Sequence, residues 1–157
     1  MITFRPSTGG WYIVKSSNNA ITVGAWGVAG DKPVPADYDG DGKADIAVYR
    51  DGTWFMMKSR DGFAAVSFGI AGDIPQVGDY DGDAIDDLAV FRTSDATWYM
   101  QQTSGGFATL PFGIGTDKAV AADFDGDGKT DPAVFRNGDW WIAKSTGGTQ
   151  TVNFGLG

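Results

Sequence analysis

The sequence predicts an all-β fold built from repeated four-stranded units, and three observations support this prediction. The 157-residue chain carries an aspartate-rich loop three times, starting at residues 37, 79 and 123, which lie 42 and 44 residues apart. Each loop precedes a short run that ends in an aromatic residue and an arginine, such as IAVYR at 46–50. No segment shows helical periodicity over three turns. Four strands in a repeat of roughly 40 to 45 residues are typical of the blades of a β-propeller.

The order of motifs within a unit predicts its four strands. The first strand precedes the acidic loop, as in KPVPADY at 32–38, and the second is the run that ends in arginine. The third strand begins with tryptophan, and the fourth ends in an aromatic residue and glycine, as in FG at 68–69. All four segments are short and are bounded by turn-forming residues. A β-sandwich would also use short strands, but it would not require a fixed period, so we favour the propeller.

The chain contains three complete units and a first unit that lacks its first strand and its acidic loop. ITFR at 2–5 is the second strand of that first unit. We predict one domain over 1–157, with a partial blade at 1–28 and complete blades at about 31–70, 73–114 and 117–157. The predicted fold is therefore three blades of four antiparallel strands plus one three-stranded blade.

The composition limits the classes of function. All 20 acidic residues are aspartate and the formal net charge is −8, so we expect no nucleic-acid partner. The chain has no cysteine and no histidine, which excludes disulfides, thiolate metal sites and Ser-His or Cys-His catalytic pairs. No apolar run approaches the length of a membrane span, so we expect no membrane insertion.

The acidic loops read D-x-D-x-D-[GA]-x-x-D, a pattern typical of a calcium site. Carboxylates at positions 1, 3, 5 and 9 and the backbone carbonyl of position 7 supply oxygens, and calcium takes about 6 to 8 of them. Glycine at position 6 permits the sharp turn that directs the carbonyl of position 7 inward. A solvated acidic turn is the alternative for one such loop. Three loops in the same register favour metal binding.

We therefore predict three Ca²⁺ sites, one in each loop. The ligands of the first site are Asp37, Asp39, Asp41, the Lys43 carbonyl and Asp45. Those of the second site are Asp79, Asp81, Asp83, the Ile85 carbonyl and Asp87. Those of the third site are Asp123, Asp125, Asp127, the Lys129 carbonyl and Asp131. Ala84 occupies position 6 of the second loop, where the other two loops have glycine, so we expect the second site to be the weakest.

The segment FGIAGDIPQVGDYDGD at 68–83, followed by DLAVFR at 87–92, resembles the FG-GAP or VCBS-type repeat of bacterial secreted proteins. That repeat is related to the calcium-binding blades of integrin α-subunit propellers. The resemblance covers essentially the whole chain, and Ala84 and the missing first loop depart from its pattern. It implies calcium between the first and second strands and an extracellular or cell-surface location. Because the N-terminal residues lack the features of a signal peptide, we expect either no export or a longer precursor.

Several aromatic residues are candidates for ligand binding. One tryptophan position recurs in every unit, which favours blade packing over a sugar-stacking platform; its members are Trp11, Trp54, Trp98 and Trp140. Trp26 replaces a repeat phenylalanine, and Trp141 replaces a repeat tyrosine or phenylalanine. These two residues are therefore the predicted ligand-binding residues. An arginine ends the second strand of every unit, and this recurrence favours a repeated structural contact over the binding of a ligand.

The favoured function is a calcium-stabilised, non-catalytic binding module of a secreted or cell-surface protein, with a glycan or a protein as its ligand. We predict no catalytic residues and no organic cofactor. Two alternatives remain open: a propeller that accompanies or forms part of a polysaccharide-degrading enzyme, and a purely structural propeller fragment. Because the missing strand leaves an open edge, we also expect a homo-oligomer in which two copies complete a larger ring of about eight blades.

Overall fold

The computed structural model describes residues 1–155, which form four antiparallel β-sheets arranged as the blades of a β-propeller. The strands of each sheet lie side by side in chain order. Within the described residues there is no helix. The predicted fold class, including the three-stranded first blade, is confirmed.

Among residues 1–155, fifteen strands make up the four blades. The first blade contains β1 (Ile2–Arg5), β2 (Gly10–Val14) and β3 (Ile21–Ala25). The second contains β4 (Lys32–Pro33), β5 (Ile46–Arg50), β6 (Thr53–Lys58) and β7 (Gly62–Ser67). The third contains β8 (Ile74–Gly78), β9 (Asp87–Arg92), β10 (Thr97–Gln102) and β11 (Gly106–Pro111). The fourth contains β12 (Lys118–Ala122), β13 (Asp131–Arg136), β14 (Asp139–Ala143) and β15 (Thr149–Asn153).

The repeated tryptophan fills the interior of each blade. In the second blade Trp54 lies opposite Tyr49, and the centroids of the two rings are 5.1 Å apart. The Trp54 indole Nε1 donates a hydrogen bond of 2.9 Å to the Phe68 carbonyl just after the fourth strand. Trp11 and Trp140 donate the equivalent hydrogen bonds in their own blades. The Trp98 indole N–H has no hydrogen-bond partner among the described residues, so the large apolar ring explains the recurrence in all four blades, and in three of them the indole also donates to the end of the sheet.

The glycines of the first three aromatic-glycine pairs lie where two blades meet, whereas a Cβ atom at Gly155 would meet Phe135 of its own blade. Gly69 has a φ of 104°, and a Cβ atom there would lie 2.7 Å from the Tyr49 hydroxyl oxygen and 3.3 Å from a methyl carbon of Val90 in the next blade. Gly27 and Gly113 approach Val48 and Val134 in the same way. A side chain at these positions would push neighbouring blades apart, which accounts for the repeated glycine.

The first strand of the second blade is shorter than the predicted segment 32–38. Regular pairing covers only Lys32–Pro33, after which the Val34 N–H still donates to the Ala47 carbonyl at 2.9 Å. Ala36 then forms an isolated bridge with Asp45. Proline at residues 33 and 35 has no N–H group, so this segment can donate only at alternate residues.

A bidentate ion pair joins the start of the first strand to the end of the second in each complete blade. In the third blade, Nε and Nη2 of Arg92 donate to the Asp73 carboxylate at 3.0 and 2.9 Å. The same geometry occurs between Arg50 and Asp31 and between Arg136 and Asp117. The arginine lowers the pKa of its partner in the pairs formed by Asp31 and Asp117. These aspartates are buried, so the ion pairs belong to the framework of the fold.

Candidate metal centres

Each acidic loop connects the first strand of a blade to the second and brings three carboxylates together. In each group, one oxygen from every member lies within 4.8 Å of the others. The groups are Asp37, Asp39 and Asp41; Asp79, Asp81 and Asp87; and Asp123, Asp125 and Asp127. Three of the four predicted side-chain ligands therefore converge in every loop.

The aspartate at position 1 shapes the loop. Asp37 Oδ1 accepts hydrogen bonds from the N–H groups of Gly40 and Asp41 at 2.8 and 3.2 Å, and its Oδ2 accepts one from Gly42 at 2.7 Å. Asp79 accepts from the same three positions of its own loop, and Asp123 accepts from two of them, Gly126 and Gly128. The backbone therefore winds around the carboxylate of position 1.

The aspartate at position 3 supplies a buried oxygen without a proton donor in the first and third loops, whereas in the second loop the Asp83 N–H donates to Asp81 Oδ1 at 3.3 Å. Asp39 Oδ2 accepts hydrogen bonds from the N–H groups of Arg60 and Asp61 at 2.9 and 3.1 Å. Its Oδ1 is buried without a hydrogen-bond partner among the described residues, and so is Oδ1 of Asp125. A buried carboxylate oxygen without a partner is costly, and a bound cation would satisfy it. These residues therefore fit an oxygen-preferring metal ion.

The aspartate at position 5 is held by the turn that follows the third strand. Thr103 Oγ1 donates to Asp83 at 2.7 Å, and Ser145 Oγ donates to Asp127 at 2.8 Å. In the first loop Asp41 also accepts a hydrogen bond from the Lys43 ammonium, which lowers the pKa of Asp41 to about 2. Position 5 belongs to the converging group in the first and third loops, whereas in the second loop Asp87 takes the place of Asp83.

The aspartate at position 9 connects the loop to the same turn. Asp45 Oδ2 accepts a hydrogen bond from the Tyr38 N–H at 3.0 Å, and Oδ1 accepts one from the Ser59 N–H at 2.6 Å. Asp87 and Asp131 have the equivalent partners. Burial raises the pKa of Asp45 and of Asp87. Asp45 and Asp131 lie outside the converging groups, and their coordination of a metal ion, like that of Asp83, stays a prediction.

The residues at positions 6 and 7 set the backbone of the loop. Position 6 adopts a left-handed conformation in all three loops, with φ of 79° at Gly42, 67° at Ala84 and 90° at Gly128. Only glycine adopts this conformation without strain, so Ala84 is the strained member. The N–H of position 7 donates to the carboxylate of position 5, as at Ile85, Lys43 and Lys129. The carbonyls of these three residues stay predicted ligands.

Contacts between neighbouring loops were missed by sequence reasoning. The Asp86 N–H donates to the Asp37 carbonyl at 2.9 Å, and the Asp86 carboxylate accepts from the Asp37 N–H at 2.8 Å. Thr130 makes the corresponding backbone hydrogen bond to Asp79, at 2.6 Å. Burial raises the pKa of Asp86. The only sign of this link in the sequence is the additional aspartate at residue 86, and its partner depends on how two blades pack.

The predicted ligand-binding tryptophans lie on different blades. The Trp26 indole donates to the Phe55 carbonyl of the second blade at 3.3 Å, and its ring centroid is 5.6 Å from that of Phe63. Trp26, Phe55, Phe63 and Arg50 line a groove of about 250 Å³. In the fourth blade Trp141 is 37% exposed, with the Arg136 guanidinium carbon 5.8 Å from its ring centroid. Ligand binding at either position stays a prediction.

Comparison with known proteins supports the fold. No protein-family model and no curated protein matches this chain. It is similar to the crystal structure, at 1.35 Å resolution, of a protein of unknown function from Bacteroides caccae, with a TM-score of 0.58 and 13% sequence identity. The match covers 98% of this chain and 57% of the other, so this chain spans just over half of that protein. At such low identity the similarity shows the fold alone.

No helix among residues 1–155 has the length and apolar character needed to cross a membrane. The three carboxylate groups contain oxygen donors and neither histidine nor cysteine. Oxygen-only sites suit hard cations such as calcium and magnesium.

Proposed function

We propose that the protein is a non-catalytic β-propeller binding module whose three acidic loops each hold one calcium ion. The observation that carries this proposal is the convergence of three carboxylates in every loop, with buried oxygens of Asp39 and Asp125 that have no proton donor. Calcium tolerates flexible coordination by carboxylate and backbone oxygens. Magnesium is less suitable because it prefers rigid octahedral geometry and keeps several waters.

The resemblance to FG-GAP and VCBS-type repeats supports the same proposal, and on that ground we also propose an extracellular or cell-surface location. Extracellular calcium modules bind with dissociation constants of about 10⁻⁴ to 10⁻³ M. At millimolar calcium, each occupied site then stabilises the folded protein by about 1 kcal/mol. Calcium in this proposal has a structural role and holds each acidic loop against the turn after the third strand.

Thermal unfolding with calcium and with a chelator tests this proposal. We expect calcium to raise the midpoint of unfolding by several degrees, because three sites contribute a few kcal/mol together. Replacing Asp39, Asp81 and Asp125 together by asparagine should remove most of the calcium response. Asp61→Asn is a matched control, because Asp61 is an exposed carboxylate beside the first loop that pairs with Arg60. An unfolding curve that chelator leaves unchanged would refute structural calcium.

The ligand of this module is a glycan or a protein surface, and the groove beside Trp26 is the proposed contact. Its aromatic rings and the Arg50 guanidinium suit the CH faces and hydroxyl groups of sugars or the side chains of a protein. A glycan array in calcium, probed with the wild type and with Trp26→Phe, tests the assignment. This variant carries the residue found at the same position of the repeat, so the fold should be retained. Glycan binding that survives the substitution unchanged would exclude the groove.

The non-catalytic assignment rests on the other aspartates. Asp31, Asp73 and Asp117 each form a bidentate ion pair with arginine at the same position of the repeat. Carboxylates committed in this way are poor candidates for the acid and base of glycoside cleavage. Hydrolase assays on polysaccharides test this point, and any activity above that of a catalyst-free control would contradict it.

A further inference from the structure

The junction between the third and fourth blades contains a cavity of about 560 Å³. The equivalent cavity between the second and third blades has a volume of about 210 Å³. Each is lined by a tyrosine at position 2 of an acidic loop and by a methionine of a third strand, Tyr80 and Met100 in the larger cavity and Tyr38 and Met56 in the smaller. The smaller cavity is therefore an internal reference for the larger one.

Shorter side chains leave the larger cavity open. Thr130 and Ala143 line it, whereas Asp86 and Gln101 line the smaller cavity at the same positions of the repeat. In the smaller cavity the Asp86 carboxylate accepts a hydrogen bond from the Asp37 N–H at 2.8 Å and so connects the two blades. Thr130 has no carboxylate, and the larger cavity keeps that space.

The two tyrosines differ in their hydrogen bonds. The Tyr38 hydroxyl donates to the Val34 carbonyl at 2.6 Å. The Tyr80 hydroxyl is buried without a hydrogen-bond partner among the described residues, in a side chain that is only 8% exposed. Such a hydroxyl is costly, and the third loop has Phe124 at this position instead. Burial raises the pKa of Tyr80, so the hydroxyl stays protonated and is an unused donor at this junction.

A lysine provides a second unused donor. Lys144 lines the same cavity and is half-buried. Within residues 1–155 its ammonium group forms no ion pair. Apolar side chains form much of the remaining wall, among them Met100, Leu110 and Phe112. A carboxylate accepts hydrogen bonds from both donors and carries the charge opposite to that of lysine, and an apolar body suits the rest of the wall.

We propose that the cavity between the third and fourth blades binds a small organic carboxylate, whose charged group contacts Lys144 and Tyr80 and whose apolar part packs against Met100. This site is separate from the groove beside Trp26. Ser145, which also lines the cavity, donates to Asp127 of the third acidic loop at 2.8 Å. A calcium ion in that loop should therefore strengthen the binding of an anion, because it offsets the nearby negative charge.

Titration with hydrocinnamate, observed by NMR of the methionine methyl groups, tests the proposal. Met100 reports on the larger cavity and Met56 on the smaller one. We expect a saturable shift of the Met100 signal with a Kd on the order of 1 mM, and no shift of the Met56 signal. Hydrocinnamyl alcohol, which has the same apolar part without the charge, should bind roughly tenfold more weakly. Titrations with calcium and with a chelator make the test independent of the calcium proposal.

Each donor can be removed by introducing a residue that another unit of the repeat carries at the same position. Tyr80→Phe introduces the residue found at Phe124, and Lys144→Gln introduces the one found at Gln102. Each variant should bind hydrocinnamate roughly tenfold more weakly, and Lys144→Gln should abolish the preference for the acid over the alcohol. Lys58→Gln makes the same change in the smaller cavity and should leave the titration unaltered. An unchanged methionine spectrum before titration shows that a variant is folded.

Two results would overturn the proposal. The first is a Met100 signal that does not move up to about 20 mM hydrocinnamate, either with calcium or with chelator, because the cavity then does not accept this class of ligand. The second is equal affinity of the wild type and either variant, which would mean that the donor in question does not hold the carboxylate.

Discussion

The first and third blades share the second, third and fourth strands of the repeat, but only the third blade has the first strand. In both, an arginine at the end of the second strand lies over an aromatic ring of the next strand, with Arg5 4.9 Å from Tyr12 and Arg92 4.3 Å from Tyr99. Within residues 1–155, Arg92 has an aspartate partner and Arg5 does not. Three strands are therefore sufficient for the aromatic interior of a blade, whereas the first strand brings the ion pair and the acidic loop.

Removing the two arginines should give the largest contrast between these blades. Arg92→Met leaves the Asp73 carboxylate, whose side chain is 2% exposed, without its cation, and should lower the free energy of unfolding by about 2 to 3 kcal/mol. Arg5→Met removes no ion pair and should change it by less than about 0.5 kcal/mol. Urea unfolding of both variants measures the difference. Equal losses would mean that the ion pair does not distinguish the blades.

The acidic loop of the third blade should gain stability from a single substitution. Ala84 is the one position-6 residue with a side chain, and its φ of 67° is unfavourable for alanine. Ala84→Gly should therefore raise the free energy of unfolding by about 1 kcal/mol and tighten calcium binding several-fold. Gly42→Ala is the converse control, because a Cβ atom there meets no other atom within 4 Å and tests backbone strain alone. A neutral or destabilising Ala84→Gly would contradict this reading of the loop.

The free energy of unfolding should depend on pH through aspartates that lie in the complete blades. Burial raises the pKa of Asp45 and Asp87, so without calcium these carboxylates oppose folding at neutral pH, and stability should rise as pH falls towards the raised pKa values. The pKa values of Asp31 and Asp117 are lowered, so their contribution is complete above the unfolded pKa of about 3.9 and is lost as pH falls below it. We expect the free energy of unfolding of the calcium-free protein, measured in urea from pH 7 to pH 3, to pass through a maximum between these limits. The variation should be of the order of 1 kcal/mol.

With calcium bound, the first part of this dependence should reverse, because protons compete with the cation for the carboxylates. A calcium-free protein whose stability falls steadily from pH 7 downwards would show that the buried carboxylates do not oppose folding.

Sequence reasoning predicted the fold because the signals of a blade are local. Each tryptophan, each arginine and each acidic loop marks a strand or a connection by its own position, and the 42- and 44-residue steps reveal the repetition. The short length of β4 was not predicted. The sequence pattern indicated a strand over 32–38, but two prolines in this segment lack the N–H groups that regular pairing needs.

The acidic loops were only partly predictable for a different reason. The converging aspartates lie close together along the chain, so their grouping follows from the loop pattern. Asp45, in contrast, accepts a hydrogen bond from Ser59, and Asp86 contacts Asp37 of the preceding blade. Both contacts depend on the packing of distant segments, for which a single sequence gives no direct signal.

Isothermal titration with calcium tests the central claim most directly. We predict three calcium ions per chain, with the second loop the weakest site and the one that Ala84→Gly strengthens. Replacement of Asp39, Asp81 and Asp125 by asparagine should abolish most of the binding. A titration that shows no binding at millimolar calcium, or binding that these three replacements leave unchanged, would contradict the assignment of the acidic loops as calcium sites.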